Sequence, residues 1–527
     1  MRLKLNFKYF TFLGFLFGII LGIYINSKFF ISDVSVRSDS ESIVKLDSYL
    51  KGLASNVAHK DHMDSIVERV IEDIFKNLDP HSLYIPDTLN RVFMEEMAGE
   101  FEGIGIRFSV VRDTVTVLQV IEGGPSHKVG LLSGDQIMAI GSLVLNQSVL
   151  EQTDITKLLK GPSNTSVMVT VYRKFEDKLI DFEIVRDRVD IPSITSSYMI
   201  DSKTGYIKIE QFSKTTFDEF TRAVNSLSRQ NIEHLVVDLR NNPGGLLDQA
   251  IRVSDFFLPK GSPIVIVESN KGQKTTYNAS EKDIYYEGHL YLLVNEISAS
   301  ASEILAGAIQ DNDRGLIIGR KTYGKGLVQL QTRVGESDFL RLTTSRFYTP
   351  TGRSIQKPYP SDSLYANKSH FIDSLNPPDS AGRKEFITPK GRELYGGGGI
   401  DPDILIEEFA SIEWGSTPLL NFWFYNTFLI ESFLLDQIEI HKIPTIGNKA
   451  EFYSLPLPNS DEYFQKFVKY MNAQNLNFQE IESAKAYTLT ALKAHIGRLA
   501  YGEDIYYRIK NTQDIFVQTA LKEILIN

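Results

Sequence analysis

The sequence predicts an α+β multidomain protein of five successive parts, and three observations carry that reading. A basic start is followed by an uncharged run at the N-terminus. A compact stretch of β pattern spans residues 97–187, and beyond it strand and helix patterns alternate to about residue 410 before the chain turns helical. The parts are residues 1–30, an N-terminal membrane anchor; 33–96, a helical N-terminal region; 97–187, the β unit; 188–410, an α/β core; and 411–527, a helical C-terminal region. The length of 527 residues, at about 150 per domain, leaves material for three or four cores. Hydrophobic residues make up 42% and charged ones 23%, as in ordinary globular chains. A net charge of −10 without a basic aromatic patch argues against a nucleic-acid partner. With no cysteine, thiol catalysis, disulfides and Cys-ligated zinc are excluded.

The anchor is read from Arg2, Lys4 and Lys8, which precede an uncharged run from Tyr9 to Ser27. As a helix rising ~1.5 Å per residue, that run spans about 28 Å, close to the hydrocarbon thickness of a bilayer. The positive flank keeps the start cytoplasmic and puts everything after Lys28 outside. A cleaved signal peptide is the competing reading, but YINSKFF lacks the small residues of an A-x-A site. The expectation is a single-pass protein of the cytoplasmic membrane with its main body on the extracytoplasmic, periplasmic side.

In the helical region Leu46, Leu50 and Leu53, then Ile66, Val70, Ile71 and Ile74, recur at helical spacing until LDPHSLYIP breaks the series with Pro80 and Pro86. His81 has only Asp79 near it at ligand spacing and reads as a turn histidine rather than a metal ligand. In the β unit, TVTVLQVI (Thr114 to Ile121) and SVMVTVYR (Ser166 to Arg173) are strands. After a connector near Val189 to Ile194, GYIKIEQF, a helix from Thr216 to Ser228, HLVVDLR, NNPGG and a helical LLDQAIRVSDFFL form a βαβα series, continued by the strand PIVIVES. Asp238 and Arg240 read as members of a structural ion pair. Gly244 and Gly245 follow a strand and open a helix, so their N–H groups are candidates for an anion site.

The stretch from Asn295 to Gln329 carries the chemistry. HLYLLV (His289 to Val294) is a buried strand, and Ile304, Leu305, Ala308 and Ile309 mark one face of a helix that begins at Ser300. Ser298, Ser300 and Ser302 can each cap that helix beside its unpaired N–H groups. GLIIGR is a second strand, and TYGKG a turn that delivers Lys325 between two glycines. A lysine activates a serine only when neutral. At pKa ~10.4 it is neutral about once in 2,500 at pH 7, a deficit of roughly 4.6 kcal/mol that burial has to remove.

This stretch resembles the carboxy-terminal processing proteases, also called tail-specific proteases, a family of PDZ-containing Ser/Lys peptidases. SASASE supplies that family's nucleophile and YGKGxVQ its lysine and an orienting glutamine. LDPHS (Leu78 to Ser82), FEGIGI (Phe101 to Ile106), DLRNNPGG (Asp238 to Gly245) and FYTPTGRSIQ (Phe347 to Gln356) follow in family order across roughly residues 40 to 405. The resemblance implies Ser300 as nucleophile, Lys325 as general base and Gln329 as the residue orienting it, with Gly244, Gly245 and Ala301 at the oxyanion hole. It implies a PDZ fold for 97–187, with Gly103, Ile104, Gly105 and Ile106 as the carboxylate-binding loop, and a crotonase-like α/β serine protease core for 188–410. The implied partners are proteins or peptides with free apolar C-termini, whose carboxylate successive N–H groups can cradle while the tail adds a strand. No metal and no cofactor is expected. An adaptor or activating partner, and a homo-oligomer formed through the C-terminal helices, stay open.

The polar stretch Ser361 to Lys390 reads as a surface insertion. PLLNFWFYNTFLIESFLL (Pro418 to Leu435) is interrupted by Asn421, Asn426 and Glu431 too early to span a bilayer, and reads as a helix packed on the protease or on a second subunit. Glu462 to Met471, Glu480 to Leu499 and Ile515 to Ile526 read as amphipathic helices. Two other function classes fit the sequence less well. A penicillin-binding or β-lactamase enzyme matches Ser48-Tyr-Leu-Lys51 and Lys203-Thr204-Gly205 but lacks the SDN-type element. A non-enzymatic PDZ scaffold has no use for a buried neutral lysine opposite a serine.

Overall fold

The computed structural model describes residues 41–56, 69–71, 73–75, 78–111, 114–145, 152–281, 286–334, 338–358, 385–406, 413–414, 417–418, 427–437, 449–473 and 482–526. The expected anchor at 1–30 lies outside them, as do most of the polar insertion and residues 419–426 of the segment from Pro418. Among the described residues no helix is long and apolar enough to cross a membrane.

The helix Glu41–Asn56 carries Ser48 and Lys51 on its exposed surface. Ser48 Oγ donates back to the Val44 carbonyl at 2.8 Å and Lys51 pairs with Asp47 at 2.7 Å, so the β-lactamase-like motif is a plain helix surface. LDPHS is a turn, but it leads into a strand that the sequence reading missed, β1 (Leu83–Ile85). Helix α1 (Asp87–Ala98) follows and ends at Gly99, whose φ of 76° closes it in the left-handed region.

The β unit is a sheet of β2 (Ile106–Val111), Thr114–Val120, Gln136–Ile140, Ser166–Arg173 and Lys178–Val185, antiparallel throughout, with β2 at its edge. Val167, Val169 and Val171 alternate inward along one strand, the two-residue period of a half-buried sheet. Helix α2 (Gln152–Leu159) packs into the same core through Ile155 and Leu159.

The α/β core is a six-stranded sheet: Ile194–Met199, Thr204–Ile209, β3 (His234–Asp238), β4 (His289–Val294), Leu316–Gly319 and Ile404–Leu405. Every neighbouring pair is parallel except the first. That first strand, ITSSYM, starts where the expected connector ends, at Ile194, and the sequence reading gave it no element; its three Ser/Thr residues hide a strand whose inward positions are Ser196 and Tyr198. Leu235, Val237, Leu290 and Leu292 face the helices Thr216–Ser228, Leu247–Asp255 and α3 (Ala301–Asp311). Val236, Tyr291 and Leu293 face the opposite side. A sheet covered on both faces reads as continuous apolar runs, which is why HLVVD and HLYLLV show no alternation. PIVIVES is a strand but not the next in this sheet. It turns back at Gly272 (φ 76°) and pairs with Lys274–Asn278 in a separate antiparallel sheet that also holds β1, β5 (Leu327–Val334) and β6 (Asp338–Tyr348).

Beyond the core come α4 (Thr427–Gln437), α5 (Glu482–Tyr501), α6 (Glu503–Lys510) and α7 (Ile515–Ile526). Within this chain the segment expected on the protease or on a second subunit packs on other C-terminal helices: Ile430, Phe433 and Leu434 of α4 join Phe464, Phe467 and Leu492 in a cluster that reaches Leu118 of the β unit. Buried Glu431 explains the placement, because the Arg107 guanidinium of β2 meets it at 3.2 Å. Helix α7 lays Phe516, Val517 and Ala520 on the second face of the core sheet.

Candidate active site

The site forms at the carboxyl ends of two adjacent parallel strands, where open α/β sheets leave a crevice. The turn after β3 holds Asn241 to Gly245, and the turn after β4 holds Asn295 to Ser300. The two turns are stitched together. Asn241 N–H donates to Asn295 Oδ1 at 2.9 Å, and Asn295 Nδ2 returns a bond to Asn241 Oδ1 at 2.7 Å. Ser298 Oγ donates to the Leu239 carbonyl at 2.8 Å and Ser302 Oγ to the Asn242 carbonyl at 3.0 Å. The two outer serines of SASASE are therefore buried braces, and Ser300 alone stands as the N-cap of α3.

Ser300 has φ 53° and ψ −110°, a conformation a non-glycine residue adopts only when its surroundings impose it. The imposing group is Glu303, fully buried at the third position of the helix. Its carboxylate accepts the N–H of Ser300 at 2.9 Å, of Gly324 at 2.7 Å and of Lys325 at 2.9 Å, together with the Thr322 hydroxyl at 2.6 Å. Burial pushes this carboxyl above its ordinary value, opposed by those hydrogen bonds. One side chain thus ties the backbone of the serine to the backbone of the lysine. The sequence reading missed Glu303, although Ser-x-x-Glu ahead of an apolar run is a capping-box signature that marks it.

Lys325 donates its amine to Gln329 Oε1 at 3.1 Å. Burial, then the nearby positive charge of Arg341, hold its pKa below the ordinary lysine value, which favours the neutral form a base requires. Ser300 Oγ and Lys325 Nζ are not hydrogen-bonded to each other, a separation common in unliganded sites that tighten around substrate. The ladder between β5 and β6 is irregular between Val328 and Gln329, which re-aims the glutamine out of strict register. Gln329 Nε2 donates to the His81 carbonyl, so the turn of LDPHS enters the site.

The three expected oxyanion residues come together unequally. Gly244 N–H is already taken by Asn242 Oδ1 at 2.9 Å. Among the described residues neither Gly245 N–H nor Ala301 N–H has an acceptor, and Ala301 opens a helix, where N–H groups are left unpaired. Gly244 instead keeps the space open: at φ 105° it has no side chain, and a Cβ there would stand 2.7 Å from the Ala299 carbonyl and 2.9 Å from Ser300 Cβ. Arg240 pairs with Asp238 at 2.6 Å and with Asp514 at 2.8 Å, the structural role the sequence suggested.

In the β unit a cavity of about 220 Å³ lies between β2 and α2, lined by Phe101, Ile104, Gly105, Phe108 and Leu159 among others. Gly103 is paired with Asp187 and Ile106 with Val120. The two residues between them, Ile104 and Gly105, have N–H groups without an acceptor among the described residues. The loop, the apolar cavity and the open edge of β2 adjoin one another.

The model of peptidase family S41 matches residues 203–361, and that of the PDZ domain residues 103–184. The chain is 37% identical over 300 residues to a carboxy-terminal-processing protease of Bartonella bacilliformis, covering 55% of this chain and 67% of that relative. It is 32% identical over 365 residues to a probable CtpA-like serine protease of Staphylococcus aureus, covering 67% of this chain and 71% of that relative. A solved photosystem II D1 C-terminal processing protease is similar at 22% identity with a TM-score of 0.37, over 70% of this chain and 94% of that one. The chain belongs to peptidase family S41, the family of the carboxy-terminal-processing proteases, and is a serine peptidase with a PDZ domain.

Proposed function

We propose that this serine peptidase binds the free C-terminal tail of a protein substrate in its PDZ groove and cleaves near that tail through a Ser300/Lys325 dyad. One observation carries the catalytic part: a half-buried amine, held by an amide and not by a carboxylate, close in the fold to a serine forced into a strained helix cap. Ser300 Oγ attacks the scissile carbonyl while neutral Lys325 takes its proton. The N–H groups of Gly245 and Ala301 receive the oxyanion. The tetrahedral intermediate collapses by breaking the C–N bond, Lys325 returns the proton to the leaving amine, and a water deprotonated by Lys325 releases the acyl group from Ser300. The single most direct test of the nucleophile is acylation by a fluorophosphonate followed by peptide mapping. Modification at Ser300 is expected, and modification at Ser298 or Ser302 would overturn the assignment.

Tail recognition rests on the unpaired N–H groups of Ile104 and Gly105 beside the apolar cavity. A hydrogen bond to a charged group is worth about 1.5–3 kcal/mol. Amidating the C-terminus of a peptide substrate should therefore weaken capture at least tenfold, read as a rise in KM. Equal cleavage of the free-acid and amidated peptides would rule this mode out.

We also propose that residues 1–30 anchor the chain in the cytoplasmic membrane with the peptidase outside, on the strength of the basic flank and the uncharged run that follows it. A reporter that works only in the cytoplasm, fused after residue 60, should be silent. A strong signal would defeat the topology.

A further inference from the structure

The motif Leu78 to Ser82 contributes no atom to the reaction described above, yet it reaches the lysine in two steps. Gln329 accepts the Lys325 amine on Oε1 at 3.1 Å and gives its Nε2–H to the His81 carbonyl. That carbonyl belongs to a turn wound around one carboxylate. Asp79 Oδ1 accepts the N–H groups of His81 at 2.8 Å and Ser82 at 2.9 Å, and Oδ2 accepts the Ser82 hydroxyl at 2.5 Å. Strand β6 grips the same turn, because Thr343 donates its hydroxyl to Asp79 Oδ1 at 3.0 Å and its N–H to Ser82 Oγ at 3.1 Å. Thr343 is also the residue paired with Gln329 across β5 and β6. The turn and the glutamine are thus fixed to one point of one strand.

The chemistry of an amide says what this does. A glutamine side chain offers an oxygen that only accepts and an NH₂ that only donates, and its terminal torsion is broad and close to two-fold. Left alone, it can present either end to Lys325. A backbone carbonyl can only accept, so the His81 oxygen takes the NH₂ and leaves the oxygen for the amine. A neutral amine has two N–H bonds and one lone pair. Committing an N–H to Gln329 restricts where the lone pair can point.

We propose that Asp79 is a positioning residue for the reaction: it sets the turn whose His81 carbonyl fixes the sense of the Gln329 amide, and through that amide the direction of the Lys325 lone pair. Asp79 touches neither substrate nor reacting atoms. The inference rests on the Ser300/Lys325 reading, and the experiment separates the two.

The full chain is assayed on fluorescein-labelled casein, with thermal melts of every variant. Asp79→Ala should lower kcat at least tenfold with KM changed less than threefold. Asp79→Asn, which keeps an oxygen for the two backbone N–H groups, should retain more than a third of the rate. Gln329→Ala should lose activity to a similar degree, and Asp79→Ala combined with Gln329→Ala should fall no more than threefold below the less active single variant, because both break one chain of contacts. Multiplying losses, or a loss carried by KM, would mean Asp79 serves only the fold and would overturn the proposal. If Asp79→Ala does not fold, Thr343→Val takes its place in the cycle with Gln329→Ala, with a three- to tenfold loss expected. Additive losses there overturn the proposal equally. Lys325→Ala is measured alongside. Activity in that variant would sink the dyad and this inference with it, whereas a dead Lys325→Ala beside a fully active Asp79→Ala would sink the positioning role alone.

Discussion

Replacing Ser300 or Lys325 by alanine should each lower kcat by about 10³-fold or more, and replacing both should be little worse than either, because nucleophile and base act as one unit. Lys325→Arg should be as inactive as Lys325→Ala, since a guanidinium stays charged and cannot take the serine's proton. Ser302→Ala loses one buried hydrogen bond, to the Asn242 carbonyl, and Ser298→Ala loses its bond to the Leu239 carbonyl and the one it accepts from the Asn295 N–H, at about 1 kcal/mol of stability for each bond, and both should keep most of the turnover. The pH dependence follows from the lysine. Its burial, aided by Arg341, lowers its pKa, so the protonated and inactive form dominates at low pH and activity rises with pH as the amine loses its proton. The midpoint of kcat/KM against pH should lie below the ordinary lysine value. A rate that falls as pH rises through neutrality, or near-normal turnover in Lys325→Arg, would show that another group is the base.

The largest loss of stability should come from Arg353→Met. Arg353 is wholly buried and gives Nη2 to Asp311 Oδ1 at 2.7 Å and to Gln310 Oε1 at 2.5 Å. Asp311 ends α3, and its other oxygen accepts the Thr351 N–H at 3.0 Å and hydroxyl at 2.6 Å. The motif FYTPTGR therefore closes the far end of the helix that begins at Ser300. Removing the guanidinium leaves a buried carboxylate uncompensated, which typically costs about 3–5 kcal/mol and lowers Tm by about 10 °C in a domain of this size. Adding Asp311→Leu to Arg353→Met should recover more than half of the loss. A single variant that melts within about 2 °C of the parent, the size of a ~1 kcal/mol effect, would show that the pair is not what holds this end.

What the sequence made legible is what local pattern dictates. The helix Thr216–Ser228 and the strands around HLVVD and HLYLLV are visible because amphipathic spacing and apolar runs are properties of neighbours in the chain. Ser300, Lys325 and Gln329 were legible through motifs, and the fold brings the lysine and glutamine into contact and ties lysine and serine to one carboxylate. Strand β1 was not legible, since three residues become a strand only by pairing with Phe339 to Arg341. Nor could the sequence choose between Gly244 and Gly245. That choice depends on Asn242, whose side chain occupies one N–H and leaves the other. The place of the C-terminal helices was hidden for the same reason, because their partners lie in β strands hundreds of residues earlier.

That distance bears on how the molecule comes into being. The bond from Arg240 to Asp514 joins residues 274 positions apart, and Phe516, Val517 and Ala520 cover a face of the core sheet whose strands begin near residue 194. A chain made from its N-terminus has Ser300, Lys325 and Gln329 well before it has this cover. Until residues 503–526 exist, one apolar face of the sheet is bare and the arginine next to the oxyanion turn lacks its second carboxylate. Ser300 and Lys325 are therefore made before the helices that cover this face of the sheet, and the face is covered only once residues 503–526 have been made.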